Sequence, residues 1–359
     1  MNIGVVGLGY WGPNLIRNFL GNNEVGKVIG CDRDENRLKF IKSKFPEVEL
    51  CNDFETLLAM DIDAVAIATP VYSHYHLAKR ALESGKHVWI EKPFTATSVQ
   101  GEELIELAEK KNLRIFVDHT FIYTGAVQKI KELVDIGELG DILYFDSVRI
   151  NLGLFQHDVN VIWDLVPHDL SIMDYILPAQ QLQGVTANGV ANYYKQENIA
   201  HLSVHFKNQG CFAHFHVNWT SPVKIRRMIV GGTKKMLVFD DMENFEKIKV
   251  YDCGVEMLTT EKLHNALAQY RIGDMYSPKV RQTEALSEGV KEFLLAVKEG
   301  RQPLTGAREG LKVVRILEAA DQSIKNRGQM VNIISEPFIA EARESVVNVN
   351  KELEKIIGY

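Results

Sequence analysis

A chain of 359 residues with 46% hydrophobic side chains is long enough for two domains with separate cores and too apolar to be disordered. Its net charge of −6 is mild and spread without basic blocks, which argues against nucleic acid as a partner, and no 18-residue apolar run suggests a membrane span. Cys31, Cys51, Cys211 and Cys253 show no C-x-x-C spacing, and the first strand begins at once with no signal peptide, so free thiols in a reducing cytoplasm are expected.

An apolar run from Ile3 to Val6 feeds into Gly7-Leu8-Gly9-Tyr10-Trp11-Gly12, and a second apolar strand, Lys27–Cys31, delivers Asp32 twenty positions after the last glycine. The first glycine permits a tight turn, the second lets backbone approach a pyrophosphate, and the third lets helix pack on strand. Pro13 preorganises the first helical turn, whose free N–H groups favour an anion. This is the pattern of a dinucleotide site. Asp32 should bond the adenosine ribose hydroxyls and favour NAD, although the adjacent Arg33 could accept the 2′-phosphate of NADP.

The alternation continues with helices at Pro13–Leu20 and Asp34–Lys44, strand Asp63–Ala68, helix Ser73–Glu83, strand His87–Ile90, helix Ser98–Lys111 and strand Arg114–Asp118. Strands separated by helices predict a doubly wound parallel sheet over residues 1–120, a Rossmann-type α/β domain. Gly7, Asp32, Thr69-Pro70, Glu91-Lys92-Pro93 and His119 each follow a predicted strand, at the sheet edge where ligands bind.

From residue 121 to 359 the rhythm predicts an α+β domain with a large, mainly antiparallel open sheet. It contains helix Ala126–Ile136, strand Ile142–Ile150, a helix from about Asp164, and then several strands. Ala200, Leu202, Val204 and Phe206 share one strand face. If Asn208-Gln209 form a two-residue hairpin loop, His201 lies opposite His216 and Ser203 opposite His214, gathering His201, His205, His214 and His216 on one face. No metal is expected there, because no carboxylate or cysteine completes the set, and a polar or subunit-facing surface accounts for it. Strands Met228–Gly231, Met236–Phe239 and Lys247–Tyr251, with a turn at Gly231-Gly232, extend an antiparallel meander. Helical periodicity returns from Glu284 to Lys325, and a charged helix is predicted over Ala340–Ile357.

Two groupings could carry chemistry. A lysine at position 92, near the nicotinamide end of the sheet, could hydrogen-bond an alcohol oxygen and stabilise alkoxide-like charge as hydride leaves; alone, it could equally be a surface lysine. Pro93 is a candidate for a cis bond. Asp164 and His168 lie one helical turn apart, with Pro167 confining them to a first turn. Asp164 is then either an N-cap satisfying a core histidine, or the group that orients His168 as a base.

The glycine turn, Ala68-Thr69-Pro70 with His74 four residues on, Glu91-Lys92-Pro93 and Asp164-x-x-x-His168 occur in the order and separations of the Gfo/Idh/MocA oxidoreductases, and the chain resembles that family along nearly its whole length. The resemblance implies Lys92, Asp164 and His168 as catalytic residues. It implies Gly7, Gly9, Tyr10, Trp11, Gly12, Asp32, Arg33, Thr69, Pro70, His74, Glu91 and Lys92 around NAD(P), and a homo-oligomer formed through the second sheet. After the strand ending at Asp118, where many members carry asparagine and arginine, this chain reads Asp118-His119-Thr120-Phe121-Ile122-Tyr123. His119 and Tyr123 are therefore substrate-side candidates by position only, joined by Arg149 and Asn151; a packed loop is the alternative for the first two. The Gly-Tyr-Trp-Gly turn and the stretch from Asn151-Leu152-Gly153-Leu154-Phe155-Gln156 to His168 resemble members associated with surface-polysaccharide sugars, so a nucleotide-linked sugar is the expected substrate. An inositol or free sugar is the alternative, as is a non-catalytic NAD-binding sensor, which would have no need of Lys92 and His168.

Overall fold

The computed structural model describes residues 1–153, 155–156, 159–177, 181–193, 195–207, 210–257 and 268–333. Its first part runs β1 (Asn2–Val6), α1 (Gly12–Leu20), β2 (Lys27–Cys31), α2 (Glu35–Lys44), β3 (Glu49–Cys51), α3 (Phe54–Ala59), β4 (Ala64–Ile67), α4 (Val71–Glu83), β5 (His87–Glu91), α5 (Ser98–Lys110) and β6 (Ile115–Asp118). The six strands are parallel in the order β3-β2-β1-β4-β5-β6. Strand β4 is wholly buried, and β1 is buried after its first residue, as expected of a sheet covered on both faces. Helix starts are marked by Asp34, Asp53 and Thr97, whose side chains accept backbone N–H bonds from Asn36, Thr56 and Gln100. Strand β3 and helix α3 carry no signal in the sequence, because three and six residues are too short for either periodicity to register.

A 3-10 turn, Thr120–Tyr123, leads into α6 (Gly125–Asp135), β7 (Ile142–Leu152), α7 (Val161–Ile176), β8 (Leu182–Val190), β9 (Ile199–Phe206), β10 (Phe212–Asn218), β11 (Thr220–Gly232), β12 (Met236–Asp240), β13 (Ile248–Met257), β14 (Ala268–Tyr276), α8 (Ala285–Glu299), α9 (Ala307–Lys325) and β15 (Val331–Asn332). The second sheet has the order β14-β13-β12-β11-β7-β10-β9-β8-β15. Its pairings are antiparallel except β7 with β10, which run parallel. His201 does lie opposite His216 and Ser203 opposite His214. Asn208 and Gln209, like the predicted helix Ala340–Ile357, lie outside the described residues.

One local expectation is corrected. Gly231 and Gly232 are not a turn but the end of β11. A Cβ on Gly231 would lie 2.0 Å from the Tyr144 ring, and one on Gly232 would lie 2.1 Å from the Leu139 carbonyl oxygen. Glycine is there for close approach, and the chain reverses through Thr233–Lys235 instead.

The core of the first unit also reaches beyond residue 120. Leu286, Val290, Phe293 and Leu294 of α8 belong to the apolar cluster that contains Ile3, Val5, Phe19, Trp89 and Phe116 of the first sheet and its helix. Trp89 stacks on Phe116 with centroids 4.0 Å apart and meets the edges of Phe19 and Phe293 at 5.7 and 5.8 Å. Helix α9 packs against α5 as well as α7 and β8. The first unit therefore borrows part of its core from the far end of the described chain. Truncating Phe293 to Ala should cost about 3–5 kcal/mol, read as a lower midpoint in urea denaturation with the slope unchanged.

Candidate active site

The glycine turn fits a pyrophosphate. Gly7 has φ +90°, and a Cβ there would lie 2.6 Å from the Ala68 carbonyl oxygen; on Gly12 it would lie 2.3 Å from the Gly7 oxygen. At Gly9 the nearest atom is Arg37 Nη1 at 3.7 Å, so the turn stays open where a ligand backbone would approach. Pro13 sits at the start of α1, and Tyr10 is 92% exposed, its ring stacked along Trp11. Asp32 is nearly buried: its Oδ2 accepts from Leu8 N–H at 2.7 Å and from Arg37 Nη1 at 3.3 Å, and its Oδ1 from Asp34 N–H at 2.9 Å. It thus clamps the glycine turn to the end of β2, and Arg37, absent from the sequence reading, shares it. Arg33 is exposed at the same edge.

Thr69 and Pro70 start α4, with Thr69 Oγ1 accepting from Ser73 Oγ at 2.7 Å. His74, expected at the cofactor, is 1% exposed, and its two ring nitrogens face the carbonyls of Pro93 at 2.9 Å and Thr69 at 2.8 Å. It fastens two loops together and leaves no nitrogen for a ligand. The Lys92-Pro93 bond is cis.

Glu91 and Asp118 are register partners at the ends of β5 and β6. Burial, then the neighbouring Asp118 charge, raises the Glu91 pKa well above the usual carboxyl value; burial raises that of Asp118 too, against bonds from Thr120 Oγ1 and, at 3.3 Å, Trp11 Nε1. Asp118 therefore links the glycine turn to the lysine strand.

Lys92 Nζ donates to the Asp164 carbonyl at 2.8 Å and lies 3.5 Å from its carboxylate Oδ1; the two side chains are 19% and 21% exposed. The helix carrying Asp164 starts earlier than expected. Asn160, not Asp164, is the N-cap, accepting from the N–H groups of Ile162 and Trp163 at 3.1 Å. Pro167 consequently stands inside α7, where it has no N–H to give to Trp163, and the following carbonyl is the one Lys92 takes. The other Asp164 oxygen accepts from Trp219 Nε1 at 3.0 Å.

Asp164 is expected either to orient His168 or to satisfy it as a core histidine; the structure joins Asp164 to Lys92 and Trp219 instead. His168 Nδ1 is buried without a partner. Its ring is packed edge-on by Phe121 at 4.9 Å, and Phe121 carries the Arg149 guanidinium at 4.8 Å from its centroid. Burial, reinforced by Lys92 and Arg149, pushes the His168 pKa well below its usual value, so the ring is neutral at pH 7.

His119 is 1% exposed with both ring nitrogens unpartnered, its pKa lowered to about 3 by burial and by Lys92. The other substrate-side candidates fare differently. Tyr123 is core: 7% exposed, stacked on Phe116, its hydroxyl 3.0 Å from Thr305 Oγ1. Arg149 is 4% exposed and committed to Asp169, which also accepts from Ser147 Oγ at 3.0 Å, so it supports the site from behind. Asn151 lies near the end of β7, partly exposed, next to Gly153.

On the open sheet face, His201 and His216 stack 4.3 Å apart at 10°, His214 Nδ1 meets Asp146 Oδ1 at 3.0 Å, and His205 Nε2 meets Thr186 Oγ1 at 3.1 Å. The carboxylate comes from β7 through the parallel pairing that the hairpin reading did not include. Among the described residues, no group of three or more His, Cys, Asp or Glu side chains is arranged to hold a metal ion, and no helix is long and apolar enough to cross a membrane.

A six-stranded parallel sheet with an open glycine turn, followed by a second, mixed sheet, is the architecture of an oxidoreductase with an NAD(P)-binding Rossmann domain. The chain belongs to the Gfo/Idh/MocA family: residues 1–119 match the family's NAD-binding Rossmann fold and residues 127–238 the GFO/IDH/MocA C-terminal domain. It is 30% identical over 352 residues to the uncharacterized oxidoreductase YdgJ of Escherichia coli, covering 92% of this chain and 98% of that protein. Against the UDP-N-acetylglucosamine 3-dehydrogenase of Acidithiobacillus ferrooxidans, identity is 29% over 252 residues, covering 68% and 75% of the two chains. The solved structure of that enzyme has the same fold, with a TM-score of 0.75 at 22% identity over 91% of this chain and 98% of that one. The scyllo-inositol 2-dehydrogenase (NADP(+)) IolW of Bacillus subtilis is 23% identical over 361 residues, covering 91% and 94%. Two other curated relatives are matched over only 31% and 40% of their length.

The residues that sequence reasoning missed, Trp219, Phe121, Asp169 and Arg37, act on named residues through folding contacts and carry no motif. The buried His119 offers a pH test. The unfolded chain takes up its proton near the usual 6.5 and the folded chain only near 3, so the stability given by the neutral ring is complete above pH 6.5 and is lost as pH falls. Between pH 7 and pH 5 the wild-type protein should lose about 2 kcal/mol more than a His119→Gln variant, measured by urea denaturation at both values.

Proposed function

We propose that this protein is an NAD(P)-linked dehydrogenase acting on a secondary hydroxyl or ketone carbon of a carbohydrate, with a nucleotide-linked sugar as the preferred substrate class. The observation that carries it is the placement of Lys92, locked on the Asp164 carbonyl and carboxylate, beside a neutral His168 with an unpartnered ring nitrogen. Bound NAD(P) supplies the hydride acceptor or donor. In the oxidising direction His168 takes the hydroxyl proton, and Lys92 stabilises the oxygen as its negative charge grows. Asp164 positions Lys92, and Trp219 fixes the remaining Asp164 oxygen.

Asp32 supports NAD, because a carboxylate at the end of β2 bonds ribose hydroxyls, while Arg33 and Arg37 beside it leave NADP as a second cofactor. The sugar-nucleotide preference draws on the UDP-N-acetylglucosamine 3-dehydrogenase relative, and the alternative, an inositol, on the scyllo-inositol dehydrogenase relative. The same reading takes the protein as cytoplasmic and as a homo-oligomer joined through the open face of the second sheet.

Lys92→Ala and His168→Ala should each lower kcat by roughly 10²–10⁴ while NADH affinity, followed by isothermal titration, changes little. The assay is NADH absorbance with UDP- and dTDP-sugars, inositols and free hexoses in turn. Undiminished turnover in either variant removes that residue from the chemistry, and cofactor binding without turnover on any of them favours a sensor.

A further inference from the structure

Two of the four cysteines meet at the cofactor edge of the first sheet. Cys31 ends β2 and Cys51 ends β3, and they are direct register partners on adjacent parallel strands. Such partners direct their side chains to the same face, and the strand spacing of about 4.8 Å lies within the span of roughly 4.4–6.8 Å between Cα atoms that a disulfide bridges. The two side chains are close enough to shift each other's ionisation. The pair is unequal in access: Cys31 is 3% exposed and Cys51 is half-buried.

We propose that Cys31 and Cys51 are a redox modification site, closing a reversible disulfide between β2 and β3 that weakens dinucleotide binding. Cys51 is the attacking sulfur: the neighbouring Cys31 thiol, then the Asp53 N–H, lowers its pKa, while Cys31 is raised by the neighbouring Cys51 and by burial. With a peroxide as oxidant, the Cys51 thiolate attacks an oxygen, the O–O bond breaks, and a sulfenic acid forms as water leaves. Cys31 then attacks that sulfur, the S–O bond breaks, and a second water departs. Two thiols and one hydrogen peroxide thus give one disulfide and two waters.

The consequence for the cofactor follows from what these strand ends hold. The Cys31 carbonyl accepts from Gly7 N–H at 3.0 Å, the Asp32 N–H donates to the Cys51 carbonyl at 3.3 Å, and Asp32 accepts from Leu8 N–H at 2.7 Å. Any displacement of the two strand ends is carried to both the turn for the pyrophosphate and the carboxylate for the ribose. Cys211, just before β10, and Cys253, on β13, belong to the second sheet and serve as internal controls.

The test treats the full chain with hydrogen peroxide, quenches with catalase, and counts thiols, maps peptides without reduction and titrates NADH. The expected result is a fall from four thiols to two, a peptide joining Cys31 to Cys51, and NADH affinity lower by roughly tenfold and restored by dithiothreitol. A Cys51→Ser variant should bind NADH normally and lose this response. Thiol loss without the 31–51 linkage, a linked protein with unchanged NADH affinity, or an undiminished response in Cys51→Ser would each overturn the proposal.

Discussion

The contact between Lys92 and Asp164 is the constraint on which the site depends. Lys92 follows β5 of the parallel sheet and Asp164 rides on α7 against the second sheet, so one ammonium joins the two units. Partly buried charges are tolerated only when their remaining bonding capacity is met. Here the Asp164 carbonyl and Trp219 Nε1 meet it. The lysine therefore has a fixed direction, where an exposed ammonium on four methylenes would wander.

Around that contact the polar groups fall into two kinds. Those behind the site are fully engaged: Arg149 and Asp169 with Ser147, and His74 between two carbonyls. Those at the front are not, since both nitrogens of His119 and Nδ1 of His168 are buried without partners. An unmade buried hydrogen bond costs on the order of 1–3 kcal/mol, so the unmet nitrogens of His119, after β6, and of His168, in α7, are the costly ones. Phe121 connects the two kinds, with the guanidinium of Arg149 near its ring and the edge of His168 against it.

Much of this was legible in the residues. The glycine turn, Asp32 and the strand-terminal position of Lys92 are local signals, and the parallel sheet follows from alternating periodicities. Hairpin arithmetic also placed His201 opposite His216. What stayed hidden depends on packing between distant segments. Asp164 looked like an N-cap because Pro167 suggested a first turn; only Asn160, four residues upstream, shows that the helix had already begun. Arg149 and Tyr123 have the chemistry of ligand contacts, yet Asp169 and Thr305 claim them from 20 and 182 residues away. No periodicity announces that β7 pairs in parallel with β10 and so brings Asp146 to His214.

The return of α8 to the first sheet also bears on how the protein is made. Synthesis proceeds from the N-terminus, and domains ordinarily fold as they emerge. Here the ribosome has completed every strand of the parallel sheet by Asp118, yet Phe293, the ring that closes against Trp89 and Phe116, is still some 175 residues from translation. The nascent sheet therefore keeps part of an apolar face uncovered while all but the last strand of the second sheet is synthesised.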